Sequence, residues 1–116
     1  MSLSHLNVDR HDRKKHATVT LAGELDLETA SLVRQSLQRC LRDGALTVDV
    51  DLALLTFCDC SGLNVFLEVW QDAAATGATL RLRRPSRVVS RLLALTECDF
   101  LLSGCAAVPT PLAATG

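Results

Sequence analysis

The chain has 116 residues, 48% of them hydrophobic, which is enough for one compact domain whose core needs neither disulfides nor metal. Its 12 basic and 13 acidic residues leave a formal charge of -1, so no global field draws it to nucleic acid or to an anionic membrane. No apolar run approaches the roughly 20 residues of a membrane span, and the polar start MSLSHLNVDRHDRKK lacks the apolar core of a signal peptide, so the expected location is the cytoplasm.

A short first strand is expected around Leu6 and Val8. Residues 16–22, in which Thr18 and Thr20 alternate with Val19 and Leu21, predict a half-buried second strand. Between them DRHDRKK carries both signs of charge and reads as an exposed turn. After Gly23, Asp26 is placed to cap a helix whose Ala30, Val33, Leu37, Cys40 and Leu41 recur at helical spacing. Glu28 suits its first turn, Arg39 and Arg42 suit its last, and Gly44 stops it. Residues 46–52 alternate Leu46, Val48, Val50 and Leu52 with Thr47, Asp49 and Asp51, which predicts a strand. A loop then runs to Phe57-Cys58-Asp59. From about Ser61 a second helix buries Leu63, Phe66, Leu67, Trp70 and Ala74, turns Asn64, Glu68, Gln71 and Asp72 to water, and closes at Gly77. Thr79 to Arg83 predicts another strand, Pro85-Ser86 introduces a helix through Val88, Val89, Leu92 and Leu93, and Phe100 to Leu102 suits a last short strand. The tail, 106–116, is rich in small residues and proline and is expected to be poorly ordered beyond a domain spanning 1–105.

Strands alternating with helices predict an α/β fold, a mixed sheet of four to five strands packed against helices. In open α/β sheets binding takes place where strands end and helices begin. That singles out two loops, Gly23 to Asp26 and Phe57 to Gly62. The second reads Asp51-Leu52, then Thr56-Phe57-Cys58-Asp59-Cys60-Ser61-Gly62-Leu63; the first reads Gly23-Glu24-Leu25-Asp26. In order, spacing and position these resemble the STAS family over roughly residues 6–105. The family pattern is a strand ending in Asp-Leu, then Asp-Ser-Ser/Thr-Gly-Leu opening a helix, with an earlier Gly-x-hydrophobic-Asp.

The resemblance implies a single STAS-like domain of the anti-sigma-factor antagonist type, a binding protein without cofactor or metal rather than an enzyme. Its implied partner is an anti-sigma factor with serine kinase activity, which phosphorylates the first hydroxyl after the motif Asp, while a serine phosphatase resets the switch. Nucleic acid and membrane are not among the implied partners. Carried onto this chain, the partner-binding residues are Gly23, Asp26, Asp59, Cys60, Ser61, Gly62 and Asn64. The family's acceptor position holds Cys60 here. Ser61, the only hydroxyl in Asp59-Cys60-Ser61-Gly62-Leu63, is the phosphoacceptor candidate, but it lies about 100° further round a helix. The alternative is a scaffold or sensor subunit that uses the same edge to join other STAS proteins.

Plainer chemistry competes at each position. Ser61 is as well suited to capping the helix as to carrying phosphate, and Asp26 suits a cap more than a contact. Cys60 at a helix start has the setting of a reactive thiol, opposed by the neighbouring Asp59; His5, His11 and His16 all precede the first helix, and only folding decides whether His16 comes near it. Cys40, Cys58, Cys60, Cys98 and Cys105 are an odd set in mostly apolar surroundings, as reduced core thiols are. Cys58-x-Cys60 has no second pair to complete a zinc site. Asp49, Asp51 and Asp59 invite comparison with a phospho-aspartate receiver, yet no lysine follows Lys15. Arg81, Arg83, Arg84, Arg87 and Arg91 have no acidic residue among them; they read as a solvated face or as a basic patch for an acidic partner.

Overall fold

In the computed structural model, which describes residues 5–102, four strands form one mixed sheet in the order β1-β2-β3-β4. Strands β1 (Leu6–Arg13) and β2 (His16–Leu25) pair antiparallel, whereas β2 with β3 (Thr47–Cys58) and β3 with β4 (Thr79–Arg83) pair parallel. Helices α1 (Ala30–Arg42) and α2 (Cys60–Ala75) make the two crossovers. Right-handed crossovers in a sheet of this order put both helices on one face, and α1 and α2 pack against each other there. Arg34 to Glu68 (2.8 Å) and Gln38 to Asp72 (3.4 Å) bridge them at the rim. Helix α3 (Arg87–Leu95) packs on β3 and on the short 3-10 turn η1 (Asp99–Leu102).

The core follows the period-two pattern. Val19, Val50 and Leu82 are neighbours in register, as are Ala17, Val48 and Leu80, and all are buried under the helices with Phe66 and Trp70. Trp70 meets Phe100 edge to face, with ring centroids 5.0 Å apart, which fastens η1 to α2.

Several elements differ from the sequence expectation, each for a physical reason. The charged DRHDRKK stretch is mostly strand, because β1 is an edge that needs only one partner and can expose every other side chain. The turn shrinks to Lys14-Lys15, with Lys14 at φ 55°. Strand β3 does not end at Leu52 but runs to Cys58, and two irregularities in its pairing with β2 break the alternation there. One leaves Leu52 and Ala53 opposite Leu21; the other leaves Thr56 extra between Leu55 and Phe57, its hydroxyl donating to the Gly23 carbonyl at 2.9 Å. The inward phase therefore passes from Leu52 to Leu55 and Cys58, and Leu54 turns out.

Gly23, Glu24 and Leu25 belong to β2 rather than to a loop. Helix α1 begins at Ala30, so Glu28 precedes it and no acidic residue lies in its first turn. In α2 Ala73, not Ala74, is buried, and Leu67 is only partly covered. Leu46 and Val88 are exposed, and Phe100 to Leu102 form η1 rather than a strand. The expected tail, 106–116, lies outside the described residues.

The other face of the sheet holds a charged network. Asp49 is buried on β3; its carboxylate accepts two hydrogen bonds from Arg81 on β4 (2.7 and 2.9 Å), bonds to His16 on β2 (2.8 Å), and lies 3.5 Å from Arg83. Arg84 makes a two-pronged contact with Asp51. Burial pushes the Asp49 carboxyl pKa up, but the bonds from Arg81 and His16 outweigh it and hold the group below its usual value. A depressed folded-state pKa gives stabilisation that is complete above the unfolded value of about 4 and is lost as the pH falls through the folded value. Asp49→Asn should therefore cost about 2 kcal/mol at pH 7, with the gap from wild type narrowing at pH below about 4. Urea unfolding at neutral and acid pH measures both; an unchanged gap would mean the negative charge contributes nothing.

Candidate functional site

Parallel pairing carries the ends of β2 and β3 to the same edge. Leu25 lies opposite Cys58, and the Asp59 amide donates to the Leu25 carbonyl at 3.2 Å. The residues that follow, Asp26 and Asp59, thus become neighbours although 33 positions separate Leu25 from Cys58. Each strand end is locked locally. Thr29, buried, donates from its hydroxyl to the Glu24 carbonyl at 2.9 Å and accepts from the Asp26 amide at 3.0 Å. Asp26 accepts through its carboxylate from the Glu28 and Thr29 amides at 3.0 and 3.3 Å, and its carbonyl receives the Ala30 amide at 2.9 Å. It therefore secures the turn ahead of α1, while Thr29 occupies the N-cap position itself.

At the start of α2 the cap is Asp59, not Ser61: its Oδ1 accepts from the Ser61 amide at 2.9 Å and the Gly62 amide at 3.3 Å. Cys60 is exposed, Ser61 is partly covered and Asn64 is exposed. Gly62 is buried beneath them, where a Cβ would come within 2.5 Å of Leu25 Cγ and 2.9 Å of Cys58 Sγ. Only glycine lets α2 start this close to β2. Gly23 meets a comparable restriction, since at φ 125° a Cβ would stand 2.1 Å from the His5 carbonyl oxygen.

Three exposed apolar side chains at this edge escape a reading by period. Leu27 is 79% exposed in the turn before α1, and Leu54 and Phe57 project from the irregular half of β3 at 60% and 44%. Phe57 lies opposite Glu24. For Leu54 and Phe57 the only sequence signal is the failed alternation after Leu52. His16 stands at the opposite end of β2 from this edge, bonded to Asp49, so it does not reach Cys60. Among the described residues no three His, Cys, Asp or Glu side chains are grouped to hold a metal ion.

Sheet order, crossover helices and the placement of both motifs on one edge define the STAS class, and the chain belongs to this family: the family model described as "Mlab, STAS domain" matches residues 8–103. Within it, the chain is similar to the anti-sigma-B factor antagonist of Bacillus subtilis (strain 168), 28% identical over 92 residues, covering 79% of this chain and 84% of that one. Solved structures share the fold, two of them at a TM-score of 0.73 being the following. One is the anti-sigma factor antagonist SpoIIAA in its unphosphorylated form, 20% identical, with 84% of this chain and 85% of that one covered. The other is an anti-sigma factor antagonist from Mycobacterium paratuberculosis, 21% identical, with 95% and 93% covered.

The two cysteines of the motif differ in exposure. Burial, helped by the nearby Asp59 and Cys60, pushes the Cys58 thiol up to about 12, so at pH 8 it is protonated and inert. Cys60 is exposed, whereas Cys40 and Cys98 are buried like Cys58. In a Cys105→Ser chain, we expect a thiol reagent at pH 8 to modify one cysteine rapidly, and peptide mapping to place the label on Cys60. Label on Cys58 at a similar rate would show that the helix start opens readily.

Proposed function

We propose that this chain is an anti-sigma-factor antagonist that docks the shared edge of β2, β3 and α2 on a kinase-type anti-sigma factor. The observation that carries the reading is the convergence of Asp26, Asp59, Cys60 and Asn64 on one edge, beside the exposed apolar Leu27 and Phe57. An apolar centre with a polar margin is how a protein-binding patch differs from ordinary solvated surface. The fixed framework beneath it, with Gly62 against Leu25 and Asp59 capping α2, presents the patch with little ordering left to do on binding. The function is binding, and the chain supplies shape rather than chemistry.

The regulatory switch of such antagonists is weakened here by one residue. The exposed position at the start of α2 is the thiol of Cys60; the hydroxyl of Ser61 sits one residue on and is partly covered. Phosphoryl transfer requires the acceptor oxygen in line with the γ-phosphate, and misplacement by about 1 Å costs on the order of 100-fold in rate. Any phosphate that did form on Ser61 would bring a charge of about -2 next to Asp59, whose carboxylate already occupies the free amides of the helix end. We therefore read the protein as an antagonist that persists in its binding form.

Two measurements test these two statements separately. Asn64→Arg, an exposed substitution, should leave the unfolding midpoint unchanged and weaken binding to the cognate anti-sigma factor by about tenfold or more; wild-type affinity would exclude the α2 edge from the interface. Incubated with that kinase and ATP, Cys60→Ser should incorporate phosphate faster than wild type by intact mass. Rapid stoichiometric labelling of wild type that Ser61→Ala abolishes would place the switch on Ser61 instead.

A further inference from the structure

The edge described above leaves the basic segment from Arg81 to Arg91 unused, and the fold gives that segment a definite shape. Arg81 is committed to Asp49, and Arg84 grips Asp51. Arg83 is different. Its nearest carboxylate oxygen, Asp49 Oδ2 at 3.5 Å, already takes shorter bonds from Arg81 and His16. Arg83 is half exposed, beside a shallow cavity of about 200 Å³ that it lines with Thr18 and Arg84 over the two aspartates.

The positive surface continues into α3. Arg87 lies three positions after Arg84, a span of at most about 10 Å. On a helix of about 3.6 residues per turn, Arg87, Val88, Arg91 and Leu95 fall within an arc of about 100°. All four are exposed, Val88 at 54% and Leu95 at 76%, while Val89 and Leu93 on the other side are buried in the core. Helix α3 is thus amphipathic twice over: its inner face anchors it, and its outer face pairs two arginines with two large apolar side chains. No acidic residue stands between Arg81 and Arg91 to neutralise that face.

We infer that the outer face of α3, extended by Arg83 and Arg84, is a second protein-docking surface, and that its occupant is an acidic amphipathic helix of a partner protein. Charge complementarity selects the occupant. Guanidinium groups match carboxylates two-pronged, a geometry this surface already realises internally at Asp49 and Asp51. Glutamates on the incoming helix would meet Arg87 and Arg91, its apolar stripe would cover Val88 and Leu95, and Arg83 is placed for one further carboxylate. A nucleic acid is disfavoured because the surface has no aromatic side chain on which a base could stack. A lipid surface is disfavoured because the larger apolar face of this short helix is spent on the core.

The surface shares no residue with the β2, β3 and α2 edge, so the inference stands or falls independently of the antagonist reading. The test uses the full chain and a fluorescent synthetic helix with Glu and Leu at helical spacing, the same peptide with Gln for Glu, vesicles of mixed phosphatidylglycerol and phosphatidylcholine, and oligo-dT. The acidic peptide should bind saturably and the Gln peptide should not. The double variant Arg87→Glu, Arg91→Glu should lose about tenfold or more in affinity, Val88→Ser with Leu95→Ser should lose affinity without a change in salt dependence, and Arg39→Glu with Arg42→Glu, an equal charge change on α1, should bind as wild type does. Equal binding by wild type and the α3 charge variant, no binding at millimolar peptide, or tighter binding to vesicles or oligo-dT than to the peptide would each overturn the inference.

Discussion

The parallel pairing of β2 with β3 is the constraint on which the rest of this structure depends. It places Leu25 opposite Cys58 and lets the Asp59 amide bond to the Leu25 carbonyl, so that two turns distant in sequence become one edge. Parallel strands require a crossover, and α1 supplies it. The same pairing brings His16 to the far end of the sheet, where it meets Asp49. One register therefore separates two kinds of chemistry: a capped edge that carries both motifs at one end and a charged network toward the other.

Holding that register requires an irregular β3. A strand with strict alternation would place Leu54 inside and break the match between Leu25 and Cys58. The two extra residues in β3 restore the inward phase at Leu55 and Cys58. Gly62 then permits close approach, because its missing side chain would collide with both Leu25 and Cys58. The glycine of this motif is thus explained by packing, and the aspartate by the helix cap it makes. Cys60 and Asn64 are exposed, and neither side chain makes the cap or the close approach that holds the helix start in place.

Charge is distributed unevenly although the total is near zero. On the sheet face away from α1 and α2, the aspartates of β3 are matched by arginines of β4 and the segment after it. Past Pro85 no aspartate or glutamate comes before Glu97, and the arginines of α3 face outward beside Val88 and Leu95. A surface of this kind costs little in isolation because each guanidinium keeps its water. It becomes favourable when a partner supplies carboxylates and covers the apolar residues together.

Much of this was legible in the chain. The period-two runs at 16–22 and 79–83 and the 3.6-residue recurrence in Ala30, Val33, Leu37 and Cys40 fix strands and helices because burial on one face requires those spacings. The residues of the two motifs were likewise visible, since turn and cap chemistry is local. Sequence could not show that DRHDRKK pairs as an edge strand, that β3 continues to Cys58, or that Thr29 rather than Asp26 stands at the helix cap, because each depends on which backbone groups a distant segment supplies. Nor could it show that Asp49 is buried and held by His16 and Arg81, which come from strands 33 and 32 positions away. An alternating pattern assigns Asp49 to the polar face of its strand; only the neighbours brought by tertiary pairing decide whether that face is water or a set of cations.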